Sequence, residues 1–388
     1  MDIELKERVY KAVDEFCDER ITEEHIKDWC ASGGVPSADY RAFYESELGN
    51  YCLPPQIGGW DGPFIVRALL VARLARRAGA ILPYQTDMNS MALLSTMGSL
   101  SQQEIVEDLT ARNGRVLFSQ AFSEGAVQDD SASVGTEVTA DEGGLYLDGA
   151  KTYVANGQFI GDTLVLTQDM VCGAQDGGMS LWLVPINEEG VYTYPLNTVG
   201  QEMLAPARIE FDHVKLNPEW QIQTGGMLNK MLERQYELGR ILTCAASFGL
   251  AQAALDDALV RCSTRKTRGR YLGSLPQIEA KLVEMAAKIR SMGTMIEHAA
   301  DSVSGDASRD EQQLNCSLMK YYVPQAATSV ASDALQIFGG IGYTDDSRVS
   351  RIWRDCRGNQ IAQGADEMMI HTVAKQLLKG YTGTLKDL

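Results

Sequence analysis

With 388 residues and 45% hydrophobic content, the chain has enough apolar material for a substantial core, and its length predicts two or three domains. A net charge of −17 and an isoelectric point near 4.7 exclude the basic surface that nucleic acid or an anionic membrane requires, so neither is expected as a partner. The eight cysteines show no paired spacing and the four histidines none at i, i+4, so reduced thiols and no metal are expected.

The first twenty residues, MDIELKERVYKAVDEFCDER, are charged throughout and lack the apolar core of a signal peptide. No uninterrupted apolar run is read as a bilayer span, and a cytoplasmic location is expected. Apolar residues recur at helical spacing from Met1 to about Asn113, with breaks at Gly33-Gly34-Val35-Pro36 and at residues 53–59. Residues 65–80, IVRALLVARLARRAGA, predict an amphipathic helix with its arginines on the polar face. An N-terminal helical domain over residues 1–115 follows.

Between Val116 and Leu216 the period changes. Short β-rich runs (RVLFSQAF, TEVTADEGGLYLDGAKTYVA, DTLVLTQ, SLWLVPI, VYTYPL, ARIEFDHVKL) are separated by turn residues, as in a barrel or sandwich. Gly143-Gly144 predicts a hairpin turn. These runs make a central β domain over residues 116–222. Helical periodicity returns at 228–262, 275–304, 309–338 and 364–380, giving a C-terminal four-helix bundle over residues 223–388. The small residues Cys244-Ala245-Ala246-Ser247-Phe248-Gly249-Leu250-Ala251 predict close helix–helix approach.

Residues 333–370 pair a glycine-rich turn with an Arg-Asp pair and end in a loop that opens another helix. This stretch resembles the C-terminal signature of the acyl-CoA dehydrogenase family, and helices, β domain and bundle follow in the order of that family. The resemblance implies an α+β fold, FAD, an acyl-CoA or enoyl-CoA ligand, a homotetramer and electron-transferring flavoprotein as partner. Within the family, the segment GADEMMIHTVAKQLLKGY is most similar to crotonobetainyl-CoA reductases.

In the family the loop carries a glutamate that removes the α-proton of the thioester while flavin takes the β-hydride. Here the matching residue is Gln363, an amide that cannot act as a base. The second position used in the family precedes a helix arginine, and here that pair is Gly239-Arg240. Glu237 lies two residues before Gly239, about 200° around a helix. Catalytic candidates are therefore Gln363, Arg240 and Glu237, while Asp366 and Glu367 suit the first turn of a helix as cap and dipole partners.

For the cofactor, residues 119–124 resemble the strand whose hydroxyl meets the flavin, a position filled by Ser123. KTYVANG resembles the strand that lies against the ring, with Tyr153 as platform. TRKTRG resembles the turn that reaches the cofactor pyrophosphate, through Arg265 and Thr267, with Arg268 where the family has phenylalanine. Gln336, Gly339 and Gly340 match the residues along the adenine half, and Ala365 and Glu367 complete the cofactor set by resemblance. On the substrate side the likeness implies Gly364, Arg240 and Asp129, the last standing where the family has a serine. Three functions fit this pattern: a dehydrogenase or reductase lacking its usual base, a flavin monooxygenase of the same fold, or a non-catalytic subunit of a heteromeric enzyme.

Overall fold

The computed structural model describes residues 3–53, 55–99, 102, 104, 118–125, 135–158, 161–170 and 178–379. Helices come first: α1 (Ile3–Arg20), α2 (Glu23–Ser32), α3 (Ser37–Glu45), α4 (Glu47–Cys52), α5 (Ile65–Ala78) and α6 (Tyr84–Met97). Eight strands follow: β1 (Phe118–Ala121), β2 (Glu137–Asp141), β3 (Gly144–Val154), β4 (Asp162–Asp169), β5 (Met179–Pro185), β6 (Val191–Pro195), β7 (Ala207–Leu216) and β8 (Gln221–Thr224). The chain then returns to helix in α7 (Gly226–Thr264), α8 (Pro276–Ser304), α9 (Arg309–Phe338), α10 (Arg348–Asn359) and α11 (Asp366–Lys379), with a short β9–β10 hairpin (Lys266–Thr267, Arg270–Tyr271) after α7. The fold is mixed α+β, with a helical N-terminal region, a central sheet and a helical C-terminal region in chain order.

By contacts the described residues form two compact units. One draws on residues 1–27, 62–82 and 236–388, the other on 28–61 and 83–235.

In the second unit the eight strands order as β6-β7-β3-β2-β4-β5-β8, with β1 running parallel beside β4. Alternation decides which side chains enter the core: along β7, Ala207, Ile209 and Phe211 point in while Arg208 and Glu210 lie at the surface side. Ile209 and Phe211 join Val138, Leu147, Val165, Trp182 and Val184 in one apolar cluster. The predicted hairpin forms, with Asp141 paired to Gly144, and Gly144 adopts φ 134°, a conformation that suits glycine. Register shifts on β3 opposite β7 between Lys151 and Val154 mark a bulge, which aims the next side chains away from the regular pleat.

In the first unit the small-residue stretch of α7 does what its composition predicts. A Cβ on Gly249 would lie 2.0 Å from the Ala72 carbonyl oxygen, so α7 and α5 approach backbone to backbone only because this residue is glycine. By length and mean hydropathy α7 passes for a membrane span, contrary to the sequence reading, yet 72% of that window is buried inside the protein. Its apolar surface is taken up by helix packing.

Helix α10 has no counterpart in the predicted helices. Its Arg348 donates to the carbonyls of Ala78 (3.0 Å), Arg76 (3.1 Å) and Arg77 (3.1 Å), capping the C-terminus of α5. At its other end Asn359 donates to Ser247 on α7 (2.9 Å), and Gln360 just beyond donates to Thr328 on α9 (2.9 Å). These bonds fix the entrance to the loop that leads into α11.

Candidate functional site

Three elements of the first unit converge on that loop. Gln363 has φ 56° and Gly364 φ 98°, so two successive residues take left-handed backbone just before α11. For glutamine this costs on the order of 1–2 kcal/mol. The φ of Gly364 is what calls for glycine there; a Cβ would also meet the flexible end of Met369, Cε, at 2.9 Å.

Two cations hold the loop. Lys320, fully buried on α9, donates from Nζ to the Gly364 carbonyl at 3.0 Å. Arg240, on α7, donates from Nε to the Gln363 carbonyl at 3.4 Å. Among the described residues this is the only side-chain hydrogen bond Arg240 makes, and its Nη2 lies 3.7 Å from the place a residue-364 Cβ would occupy. Burial lowers the pKa of both cations, and for Lys320 the nearby Arg240 pushes the same way while Cys244 and Asp366 oppose it. Burial pushes the Cys244 thiol up to about 12 and leaves it un-ionised. Asp366 opens α11, and burial raises its carboxyl pKa against the pull of Lys320; its Oδ1 is buried with no hydrogen-bond partner.

Glu237 does not join this group as a free carboxylate. It is 2% exposed, and Arg309 grips both of its oxygens, at 2.8 and 3.2 Å. That arrangement is a bidentate pair with its carboxylate buried and its guanidinium exposed. Gln363, Gly364, Arg240 and Asp366 are thus brought together, with Lys320, which sequence reasoning missed. The only signal for Lys320 was a lysine inside an otherwise apolar helical stretch.

The residues expected at a cofactor lie at four places. In the second unit Tyr153 has φ 55°, and 70% of it is exposed, because the bulge turns its ring outward. Ser123 is its neighbour through the Thr152 N–H bond to the Ser123 carbonyl (2.8 Å). Behind Tyr153, Asn156 is left-handed too (φ 61°) and donates to the fully buried Asp87 at 3.1 Å, which also accepts from Tyr44 at 3.0 Å. Beneath it, fully buried Lys151 donates to Glu124 at 2.6 Å. Burial raises the Glu124 pKa, but bonds from Lys151 and the Gly135 N–H outweigh it and hold the carboxyl below its usual range.

In the first unit Arg265 and Thr267 sit on the exposed β9–β10 hairpin, whose turn places Arg268 (φ 47°) and Gly269 (φ 79°) in the left-handed region. Gln336, Gly339 and Gly340 are exposed at the end of α9, and a Cβ on either glycine would meet nothing within 4 Å. Ala365 is half-buried and Glu367 exposed in the first turn of α11. Asp129 lies outside the described residues.

A flavin dinucleotide needs an open ring platform, side-chain-free backbone near its phosphates and cationic donors. Tyr153 of the second unit is such a ring, and in the first unit Gly339-Gly340 and the Arg265–Arg270 hairpin offer bare backbone and cations, so each set of residues, taken by itself, fits one part of the group. For metal, no cluster of three or more histidine, cysteine or carboxylate side chains is present among the described residues.

The family model for the acyl-CoA dehydrogenase C-terminal domain matches residues 229–378. The chain is 28% identical over 380 residues to the probable acyl-CoA dehydrogenase YdiO of Escherichia coli, covering 97% of this chain and 98% of that protein. Among solved structures, an acyl-CoA dehydrogenase from Slackia heliotrinireducens superposes with a TM-score of 0.87 at 32% identity, over 99% of this chain and 98% of the other. Butyryl-CoA dehydrogenase from Megasphaera elsdenii shares the fold, with a TM-score of 0.86 at 21% identity over 97% of this chain and 100% of that one.

Proposed function

The chain belongs to the acyl-CoA dehydrogenase family, and from that premise we propose a flavin-dependent oxidoreductase acting on an acyl-CoA or enoyl-CoA thioester. The observation that carries this reading is the Gln363-Gly364 loop, held in left-handed backbone by Lys320 and Arg240. It presents an amide where the family's loop presents a carboxylate. When bound, FAD supplies the hydride chemistry. Tyr153 offers its platform, and Arg265, Thr267, Gln336, Gly339 and Gly340 are the groups we assign to the dinucleotide, with Ser123, Ala365 and Glu367 beside them.

An amide neither accepts nor releases a proton near neutral pH, so dehydrogenation at this site loses a general base worth roughly 10²–10⁴ in rate. Reduction of an enoyl thioester suffers less, because the α-carbon then receives a proton, which water can supply. We therefore favour the reductive direction. The likeness of the C-terminal segment to crotonobetainyl-CoA reductases makes betainyl thioesters one candidate ligand. Electron-transferring flavoprotein is the proposed electron partner. A homotetramer is proposed on the exposed apolar residues Val260, Val283, Ile370, Leu377 and Leu378 of the first unit. A cytoplasmic location accords with the seven described cysteines, all free.

The second reading is a non-catalytic subunit that completes an active partner. What favours it is the absence of a carboxylate at both Gln363 and Gly239.

One experiment separates the two: an anaerobic visible spectrum of the purified chain before and after addition of an acyl-CoA or enoyl-CoA thioester. A flavin band that shifts or bleaches is expected. A colourless chain that FAD does not reconstitute would sink the enzyme reading and leave the subunit.

A further inference from the structure

Resting on the thioester reading above, we propose that Arg240 binds a carboxylate on the acyl chain, so that the ligand is a dicarboxylic rather than a neutral or betainyl thioester. The argument is a count of charges around residues 363–366. Arginine stays protonated at any physiological pH. Arg240 is half-buried, yet among the described residues its sole side-chain hydrogen bond is the 3.4 Å contact from Nε, and neither Nη donates to another described residue. The other cation of the group, Lys320, is spent on the Gly364 carbonyl.

The available negative charge does not balance them. Glu237 is neutralised by the bidentate grip of Arg309. Asp366 stands beside Lys320 with Oδ1 buried and unpartnered, and the two further charges that act on it, Glu367 and Arg357, are of opposite sign and offset each other in the count. A glutamate at 363 would supply the missing charge, and this chain has Gln363. The carboxylate whose charge reaches Arg240, Glu237, is hydrogen-bonded to Arg309 instead, and a carboxylate is the group the planar fork of a partly desolvated guanidinium matches best. A quaternary ammonium brought to the same place meets like charge.

The test is isothermal titration of the FAD-reconstituted protein with three CoA thioesters of similar chain length: glutaryl, pentanoyl and γ-butyrobetainyl. The glutaryl thioester is expected to bind about tenfold tighter than the pentanoyl, and the betainyl weakest, since charge-assisted bonds are about twice as strong as neutral ones. Arg240→Met removes the preference. Gln363→Glu removes it as well while keeping Arg240, by returning a carboxylate to its side, and so serves where Arg240→Met does not fold. Equal affinity for glutaryl and pentanoyl, or tighter betainyl binding, would overturn the inference and leave the thioester reading standing. Binding of none of the three by a protein that holds flavin would overturn both.

Discussion

Of the segments that hold non-glycine residues in left-handed backbone, the two around Asn156 and Gln363 are held by opposite electrostatics. In the β unit, Asn156, three residues after the exposed Tyr153, is pinned by a buried carboxylate, Asp87, which accepts from Asn156 and Tyr44. In the helical unit, Gln363 and Gly364 are pinned through their own carbonyls, which accept from Arg240 and Lys320. In the first case neutral donors converge on an anion, and the Tyr44 hydroxyl, its pKa raised well above the usual by burial, remains a donor. In the second, cations converge on neutral acceptors and one guanidinium keeps unused donors. The first device is complete within the protein. The second leaves a charge for a ligand to meet, which is the behaviour of a binding site rather than of a scaffold.

The largest expected effect tests the loop. Gln363→Glu adds the missing carboxylate at a position whose backbone is already fixed, so dehydrogenase turnover with a fitting acyl thioester should rise by about 10² or more. Stopped-flow reduction of the flavin would measure it. No gain, with flavin and ligand both bound, would mean that the loop no longer aims residue 363 at the reacting carbon.

The β-unit pin is tested through stability. Asp87→Ala strands the Tyr44 hydroxyl and the Asn156 amide in a buried place, and each lost partner costs about 1–3 kcal/mol. A loss of about 3 kcal/mol in denaturant unfolding is expected, with faster hydrogen exchange at the amides of residues 153–157. Unchanged exchange there would show that Asn156 holds its conformation through its backbone bond to the Leu204 carbonyl alone.

What the sequence disclosed follows from which interactions are local. The shift from helical to alternating periodicity and the Gly143-Gly144 turn were legible because each depends on neighbours a few residues away. The pairing of Gln363 with Arg240 was reachable through family resemblance, and the structure joins them across 123 residues. Glu237 was judged only by its angle on the helix, and its partner Arg309 lies 72 residues on, where no periodicity points. Helix α10 went unread because its inward face includes charged residues: Arg351 is buried against Glu23 and the Gly79 carbonyl, and Asp355 accepts from the Ile81 N–H at 2.8 Å. Lys320 was missed for the same reason, since lysine is ordinarily an exposed residue.

The smallest effect is the most direct probe of the cationic clamp. Burial lowers the Lys320 pKa below the ordinary lysine value of 10.5, whereas in the unfolded chain it returns to that value. Between the two values the unfolded chain binds more protons than the folded one, so stability rises with pH across that window. Below the folded value the penalty for burying the charge is present in full. Lys320→Met removes this contribution while leaving the Gly364 carbonyl without its donor. The variant should therefore lose stability overall and gain less than the parent chain as pH rises from neutral to about 10. Lys151 in the β unit, also lowered by burial, contributes to both chains and cancels in the difference. Guanidinium midpoints across that range give the two slopes. Parallel slopes would mean that Cys244 and Asp366, which face the amine and pull its pKa upward, already offset its burial and the repulsion from Arg240. The loop would then rest on a balanced cluster, and the contrast with the Asp87 pin would fall.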